Sequence, residues 1–189
     1  MLGTKMKNSK SKKKIWKPRA AIYFDRNYTP NTFEDILEQI FPNHKRRQAI
    51  ALFLINKLKK TPIPAEEWIL TECEYLIWEA DNIPYSTINK EKAEELFEYA
   101  QDVYNDLEIS NTKRNKLIMA KAEELDLNLS GINTQFWIVK RVLNDLRIIY
   151  KKDRVYYLSK KGFSKLLKRI ADITEDYLLD IEEEYEEEF

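Results

Sequence analysis

Glycine, cysteine and histidine are the scarce residues: three glycines, one cysteine and one histidine in 189 positions. Cys73 and His44 stand alone, which excludes a zinc finger, a disulfide framework and a Cys–His pair with any spare partner. Glycine is too rare for a phosphate-cradling loop, and G-x-x-x-x-G-K-[ST], G-x-S-x-G and H-E-x-x-H are all missing. With those signatures gone, the expectation is a binding protein without a cofactor, metal or catalytic centre. A metal nuclease built from scattered Asp and Glu is the one enzymatic option left. No apolar run approaches the roughly 18 residues of a membrane span. The N-terminus has the charges of a signal peptide but no apolar stretch behind them, which points to an intracellular, cytoplasmic protein. Abundant Lys, Glu, Ile and Tyr beside scarce Gln fit a thermophile.

What is present is charge, in blocks. The formal net charge is +0, from 32 Lys and Arg against 32 Asp and Glu. Residues 1–20 hold eight bases and no acid, and residues 21–110 nine bases against seventeen acids. Residues 111–169 reverse this with fifteen bases to five acids, and residues 170–189 hold ten acids and no base. A strongly basic block within the folded part points to nucleic acid.

That basic block also has the most informative pattern, from Asn111 to Ser159, centred on Ser130–Leu146. Read as a helix, it gathers Ile132, Phe136, Val139, Leu143 and Leu146 on one side, with Val142 at the edge. The other side carries Asn133, Thr134, Trp137, Lys140, Arg141 and Asn144. Hydrogen-bonding groups in the first turn followed by cations suit a helix whose N-terminal end meets base edges and whose later turns meet phosphates. Thr112–Leu127 is a second helical pattern, with Leu117, Ile118, Ala122 and Leu125 apolar. Ile148–Tyr150 and Val155–Leu158 read as two strands around the polar tetrapeptide Lys151-Lys152-Asp153-Arg154, a hairpin.

Helix, turn, amphipathic helix and basic-tipped hairpin, over roughly Lys90 to Gly162, resembles the winged helix-turn-helix DNA-binding family. The link Asp126–Gly131 is longer than the tightest such turns. The resemblance implies a mainly α fold, three helices plus a two-stranded β-wing, and binding of double-stranded DNA by a transcriptional regulator. The helix 132–146 would enter the major groove and the 148–158 hairpin would serve as wing. Asn133, Thr134 and Trp137 would meet bases, and Lys140, Arg141 and Asn144 phosphates or base edges. Lys151, Lys152 and Arg154 would hold the adjacent backbone, and Lys113, Arg114 and Lys116 would grip phosphate. Trp137 reads equally as a protein contact, because a large exposed aromatic marks interfaces too. The alternative is accordingly a winged-helix protein–protein subunit of a replication, transcription or chromosome-segregation assembly.

The remaining segments frame this domain. Residues 1–20 form a basic arm, with Met1–Lys14 expected to be disordered, either a phosphate-neutralising arm or a solubilising tail. Trp16–Phe24 has the aromatics to dock as an extended segment. Residues 21–88 form an acidic helical subdomain. In it Asn31 and Glu34 open one helix, Lys45–Lys60 makes a second with Lys45, Arg46 and Arg47 on a solvated rim, and Ala65 begins a third after the stiff connector Thr61–Pro64. Cys73 falls on that third helix's apolar face, and the six carboxylates between Glu66 and Asp81 read as a solvated face. Ser86, Thr87 or Asn89 caps Lys90–Leu107, the first helix of the winged domain, residues 89–162. Residues 163–189 form a C-terminal helix with an acidic tail. Its Leu166, Ile170, Ile173, Tyr177, Ile181 and Tyr185 approach a heptad seam, for a homodimer or for packing on the chain itself, and the tail is inert, a shield for the basic face, or a site for a protein partner.

Overall fold

The computed structural model describes residues 30–84, 86–106, 108–169 and 171–172. The basic arm, Trp16–Phe24 and all of the C-terminal seam except Leu166 lie outside the described residues. In chain order the elements are helices α1 (Phe33–Ile40) and α2 (Lys45–Lys60), strand β1 (Ile63–Pro64), helices α3 (Trp68–Asn82), α4 (Lys90–Asn105), α5 (Asn111–Glu124) and α6 (Leu129–Asp145), and strands β2 (Ile149–Lys152) and β3 (Val155–Leu158). Residues 162–169 are helical again. The fold is mainly helical with a small antiparallel sheet, and among the described residues no helix is long and apolar enough to cross a membrane.

Local chemistry sets the helix ends. α1 opens on a capping box one residue later than the sequence suggests. Thr32 accepts from the Asp35 amide at 3.2 Å, and the Asp35 carboxylate accepts from the Thr32 amide at 2.9 Å. Of the three candidates for α4, Asn89 is the cap, accepting from the Lys92 amide at 3.1 Å. α3 follows a single 3-10 turn, Ala65–Glu67.

The link between α5 and α6 differs most from expectation. α6 begins at Leu129, so Ser130 and Gly131 lie in its first turn rather than in the connection, and Asn128 caps it by accepting from the Gly131 amide at 2.9 Å. Asp126 takes a left-handed φ of 59°, its amide donates to the Glu123 carbonyl, and the Leu127 amide donates to the Ala122 carbonyl. This double bond pair is a Schellman motif, which turns the chain in four residues and buries Leu127. α6 ends the same way: Arg147 has φ 56°, Arg147 donates to Asn144, and Ile148 to Leu143.

The hairpin is tighter than a four-residue turn. Lys151 pairs with Tyr156 and Lys152 with Val155, so both lysines belong to β2 and only Asp153 and Arg154 make the turn. Both have positive φ, 49° and 62°, the type I′ geometry that matches strand twist. The sheet has three strands rather than two, in the order β1-β3-β2. β1 comes from the Pro-rich connector, with Ile63 opposite Tyr156 and Pro64 opposite Val155. Because Pro64 has no amide, it is tolerated only at such an edge. The ladder continues through the Ala65 amide, which donates to the Arg154 carbonyl at 2.7 Å.

Tertiary packing crosses the boundary expected at residue 88. β1 pairs with β3, α2 and α3 pack on α6, and α4 bridges α3 to α5. One continuous core runs from Leu37 to Ile149. Its aromatic centre is Phe136 of α6, with no solvent exposure. Tyr75 meets it edge-on at 5.2 Å, Trp68 at 6.3 Å and Phe53 of α2 at 6.4 Å. Because α3 is covered from two sides, Glu72 and Glu79 are buried, at 0% and 3% exposure, and do not share the solvated face expected for the α3 carboxylates. Cys73 is buried as expected, and burial pushes its thiol well above the ordinary range.

Two changes in urea unfolding test this account. Phe136→Ala should cost about 3–5 kcal/mol, the range for a buried aromatic truncated in a packed core. Arg147→Gly should gain about 1 kcal/mol, because glycine carries no left-handed penalty at that helix end.

Candidate nucleic-acid interface

The side of α6 turned away from Phe136 is not one uniform polar surface. Helical spacing sorts it into an outward strip and a strip facing α3. Ser130, Asn133, Thr134, Trp137, Asn144 and Asp145 are exposed, and Lys140 and Arg141 are half-buried. Trp137 retains 53% of its surface, the highest among the exposed large hydrophobic residues described. The Arg141 guanidinium lies 5.5 Å from the Trp137 ring centre and 3.8 Å from the Asp145 carboxylate. The Thr134 hydroxyl donates to the Ser130 carbonyl at 3.1 Å, a bond within the helix that leaves an oxygen lone pair outward.

Asn133 and Lys140 lie beside this strip and engage α3. The Asn133 amide donates to both Glu72 oxygens, at 2.9 and 3.0 Å. The Lys140 ammonium sits 4.5 Å from the Trp68 ring centre and 5.5 Å from that of Tyr156 on β3. Burial lowers the Lys140 pKa, Glu72 opposes that shift, and Lys151 adds to it. Of the six residues expected on one face, Asn133 and Lys140 therefore help fasten α6 to α3. Trp68 and Glu72, four apart on one side of α3, complete this corner and were not foreseen. Their i, i+4 spacing was in the sequence, but nothing local said which helix they would meet.

The hairpin meets α6 at its α3-facing side, where Tyr156 lies against Trp68 and Lys140. Lys151, Lys152 and Arg154 are all exposed, and the Lys151 ammonium lies 5.4 Å from the centre of the same Tyr156 ring that Lys140 approaches. Tyr156 thus lies between one cation of α6, Lys140, and one of the hairpin, Lys151. At the start of α5, Lys113 and Lys116 are exposed. Arg114 instead secures the α4–α5 link. It donates to the Asp106 carbonyl at 2.5 Å and to the Asn111 side chain at 3.1 Å, with its guanidinium 5.2 Å from the Tyr104 ring centre.

The three cations at the start of α2 are also occupied. Lys45 pairs with Glu38 at 2.9 Å, Arg46 with Glu79 at 2.6 Å, and Arg47 donates to Gln135 of α6 at 2.8 Å. Among the described residues no group of three or more His, Cys, Asp or Glu could hold a metal ion. Comparison with family models, with curated proteins and with solved structures finds no match, so the functional reading rests on this geometry.

Glu72 gives the corner a pH signature. Burial raises its pKa from 4.5 to about 7, against the opposing pull of the Asn133 hydrogen bond and Lys140. The folded state then binds a proton at Glu72 more tightly than the unfolded chain does, so the contribution of this group to stability is fully present below pH 4.5 and is lost as pH rises to about 7. This one group should account for about 3 kcal/mol of that loss. Glu72→Gln keeps an acceptor for Asn133 and cannot ionise. Its unfolding free energy measured against pH should lack this fall, gaining on the wild type across the window; parallel curves would refute the assignment.

Proposed function

We propose that this chain binds double-stranded DNA in a sequence-specific manner as a transcriptional regulator of the winged helix-turn-helix kind. α6 enters the major groove and the β2–β3 hairpin acts as wing. The observation that carries the reading is the seating of the basic hairpin against α6, where Lys140 and Lys151 approach one Tyr156 ring. The tight α5–α6 turn and the β1-β3-β2 strand order support it, since they fix helix and hairpin in one rigid unit.

In this arrangement Thr134 and Asn144 offer hydrogen bonds to base edges, and Trp137 offers an apolar surface to thymine methyls. Arg141 exchanges its solvent-facing partner Asp145 for phosphate or guanine. Lys151, Lys152 and Arg154 neutralise phosphates on the wing side, and Lys113 and Lys116 those beside α5. Half-buried Lys140 and Arg114 hold α6 and α5 in position, and Asn133, though exposed, has its amide committed to Glu72. A homodimer through the C-terminal helix and a protein partner for the acidic tail draw on residues outside those described.

Exposed Trp137 specifically favours the second reading, a protein–protein module of a larger assembly. A salt titration of binding to random-sequence duplex DNA separates the two. Lys140→Glu is a poor probe, because it sets a second carboxylate against Glu72 and risks the fold. Lys151→Glu/Lys152→Glu changes exposed charge instead, and Arg141→Glu changes a half-buried charge that pairs with exposed Asp145. The wild type should lose affinity steeply with salt, and the double variant should reduce the log–log slope by about 2, one per phosphate contact. Absence of binding at low salt, or slopes unchanged in both variants, sinks the DNA reading and leaves the protein partner.

A further inference from the structure

Side chains alternate across a strand, so the pairing of Lys151 with Tyr156 and of Ile149 with Leu158 sets these four on one face of the sheet, with Tyr156 against Trp68. The other face carries Tyr150 and Lys152 of β2 and Val155 and Tyr157 of β3, with Pro64 of β1 opposite Val155. Tyr150 and Tyr157 are direct cross-strand partners, and their rings stack at 5.4 Å between centres with planes 19° apart. Tyr150 is 45% exposed. It sits on β2, an outer strand of the order β1-β3-β2, so Tyr157 covers one side of its ring and no strand flanks the other. Trp68, Tyr104, Trp137 and Tyr156 each have a Lys or Arg near the ring, but among the described residues no cation lies over Tyr150 or Tyr157. The open side of Tyr150 is a flat aromatic surface.

Positive charge frames this pair. From Arg147 to Lys161 the chain holds six bases and one acid, Asp153. Lys152 shares the face, and Arg147, Arg154, Lys160 and Lys161 are exposed at the two ends of the hairpin. An aromatic platform among cations suits a polyanion that carries flat rings of its own. Bases in a duplex hide their faces within the stack, so only unpaired bases offer one. A proline-rich peptide would also match stacked tyrosines, but it brings no counter-charge for the surrounding lysines and arginines. Charge complementarity therefore selects nucleic acid in single-stranded form.

We propose that the outer face of the β2–β3 hairpin binds single-stranded nucleic acid, with an unpaired base stacked on the open side of Tyr150. Lys152 neutralises a neighbouring phosphate, and the cations at the ends of the hairpin attract the strand as it continues. The site does not rest on the duplex reading. It uses no residue of α6 and shares with that reading only Lys152 and Arg154.

Fluorescence anisotropy on the full chain tests this with three labelled probes: oligothymidylate, an abasic strand of equal length, and the duplex of the first with oligoadenylate. The abasic strand has the same phosphates, so the wild type should bind oligothymidylate about tenfold more tightly, the order expected for one stacked base. Tyr150→Leu keeps an apolar cover over Tyr157 without a flat ring. It should erase that preference and leave the abasic and duplex affinities unchanged, whereas Tyr150→Phe should retain it. In the wild type, oligothymidylate should also move the Tyr150 ring-proton resonances, a readout that locates the site even if the leucine variant fails to fold. The proposal is overturned by equal affinity for oligothymidylate and the abasic strand, by a preference that survives Tyr150→Leu, or by Tyr150 resonances that stay in place. It also fails if neither strand binds at low salt, or if a proline-rich peptide moves those resonances and oligothymidylate does not. Loss of duplex binding alone would sink the α6 reading and leave this one standing.

Discussion

Phe136 has no solvent exposure, and rings from α2 and α3 stand edge-on around it. This contact constrains everything on the other side of α6. A helix whose apolar seam is locked by Phe53, Trp68 and Tyr75 cannot rotate about its axis without breaking all three ring contacts. The outward strip is therefore fixed in angle as well as in position. β2 leaves α6 through a Schellman turn, so the hairpin inherits the same constraint. An interface that must match the grooves of a duplex needs this rigidity, because misplaced donors forfeit their hydrogen bonds and gain nothing in return.

Fixing the helix has an electrostatic consequence. The α3 helix that supplies Trp68 and Tyr75 also brings Glu72 out of water, beside Asn133 and Lys140. A buried carboxylate with one amide donor and a neighbouring ammonium is incompletely compensated, and burial dominates its titration. The corner therefore orients α6 at some cost in stability near neutral pH. Arg46 and Glu79 show the same theme two turns further along α3, where one carboxylate oxygen is bonded to Arg46 and the other is not.

Much of the local structure was legible in the sequence. The apolar seam Ile132, Phe136, Val139 and Leu143 is buried as its periodicity required, and the hairpin lies where two β-branched and aromatic runs flank a polar turn. The errors were short in range and have physical causes. Thr32 rather than Asn31 caps α1 because the reciprocal bond to Asp35 satisfies two amides at once. Asp126 and Arg147 close helices without glycine, so the usual punctuation was missing and α6 was placed to start too late. Lys151 and Lys152 looked like turn residues on polarity alone, yet a type I′ turn needs only Asp153 and Arg154.

The sequence by itself determined which residues are helical, which side of each helix is apolar, and that positive charge concentrates between 111 and 169, because these depend on spacing and composition within one segment. Only the tertiary structure decided how the polar residues of α6 are divided. Asn133 and Lys140 turn to α3, Thr134, Trp137 and Asn144 face outward, and Arg114 serves the α4–α5 link. It also decided that β1 joins the hairpin and that Glu72 and Glu79 are buried. A partner more than sixty residues away leaves no periodic trace in the segment it meets. Its identity is fixed by the packing of Trp68, Tyr75 and Phe136, and the polar groups nearby take whatever environment that packing creates.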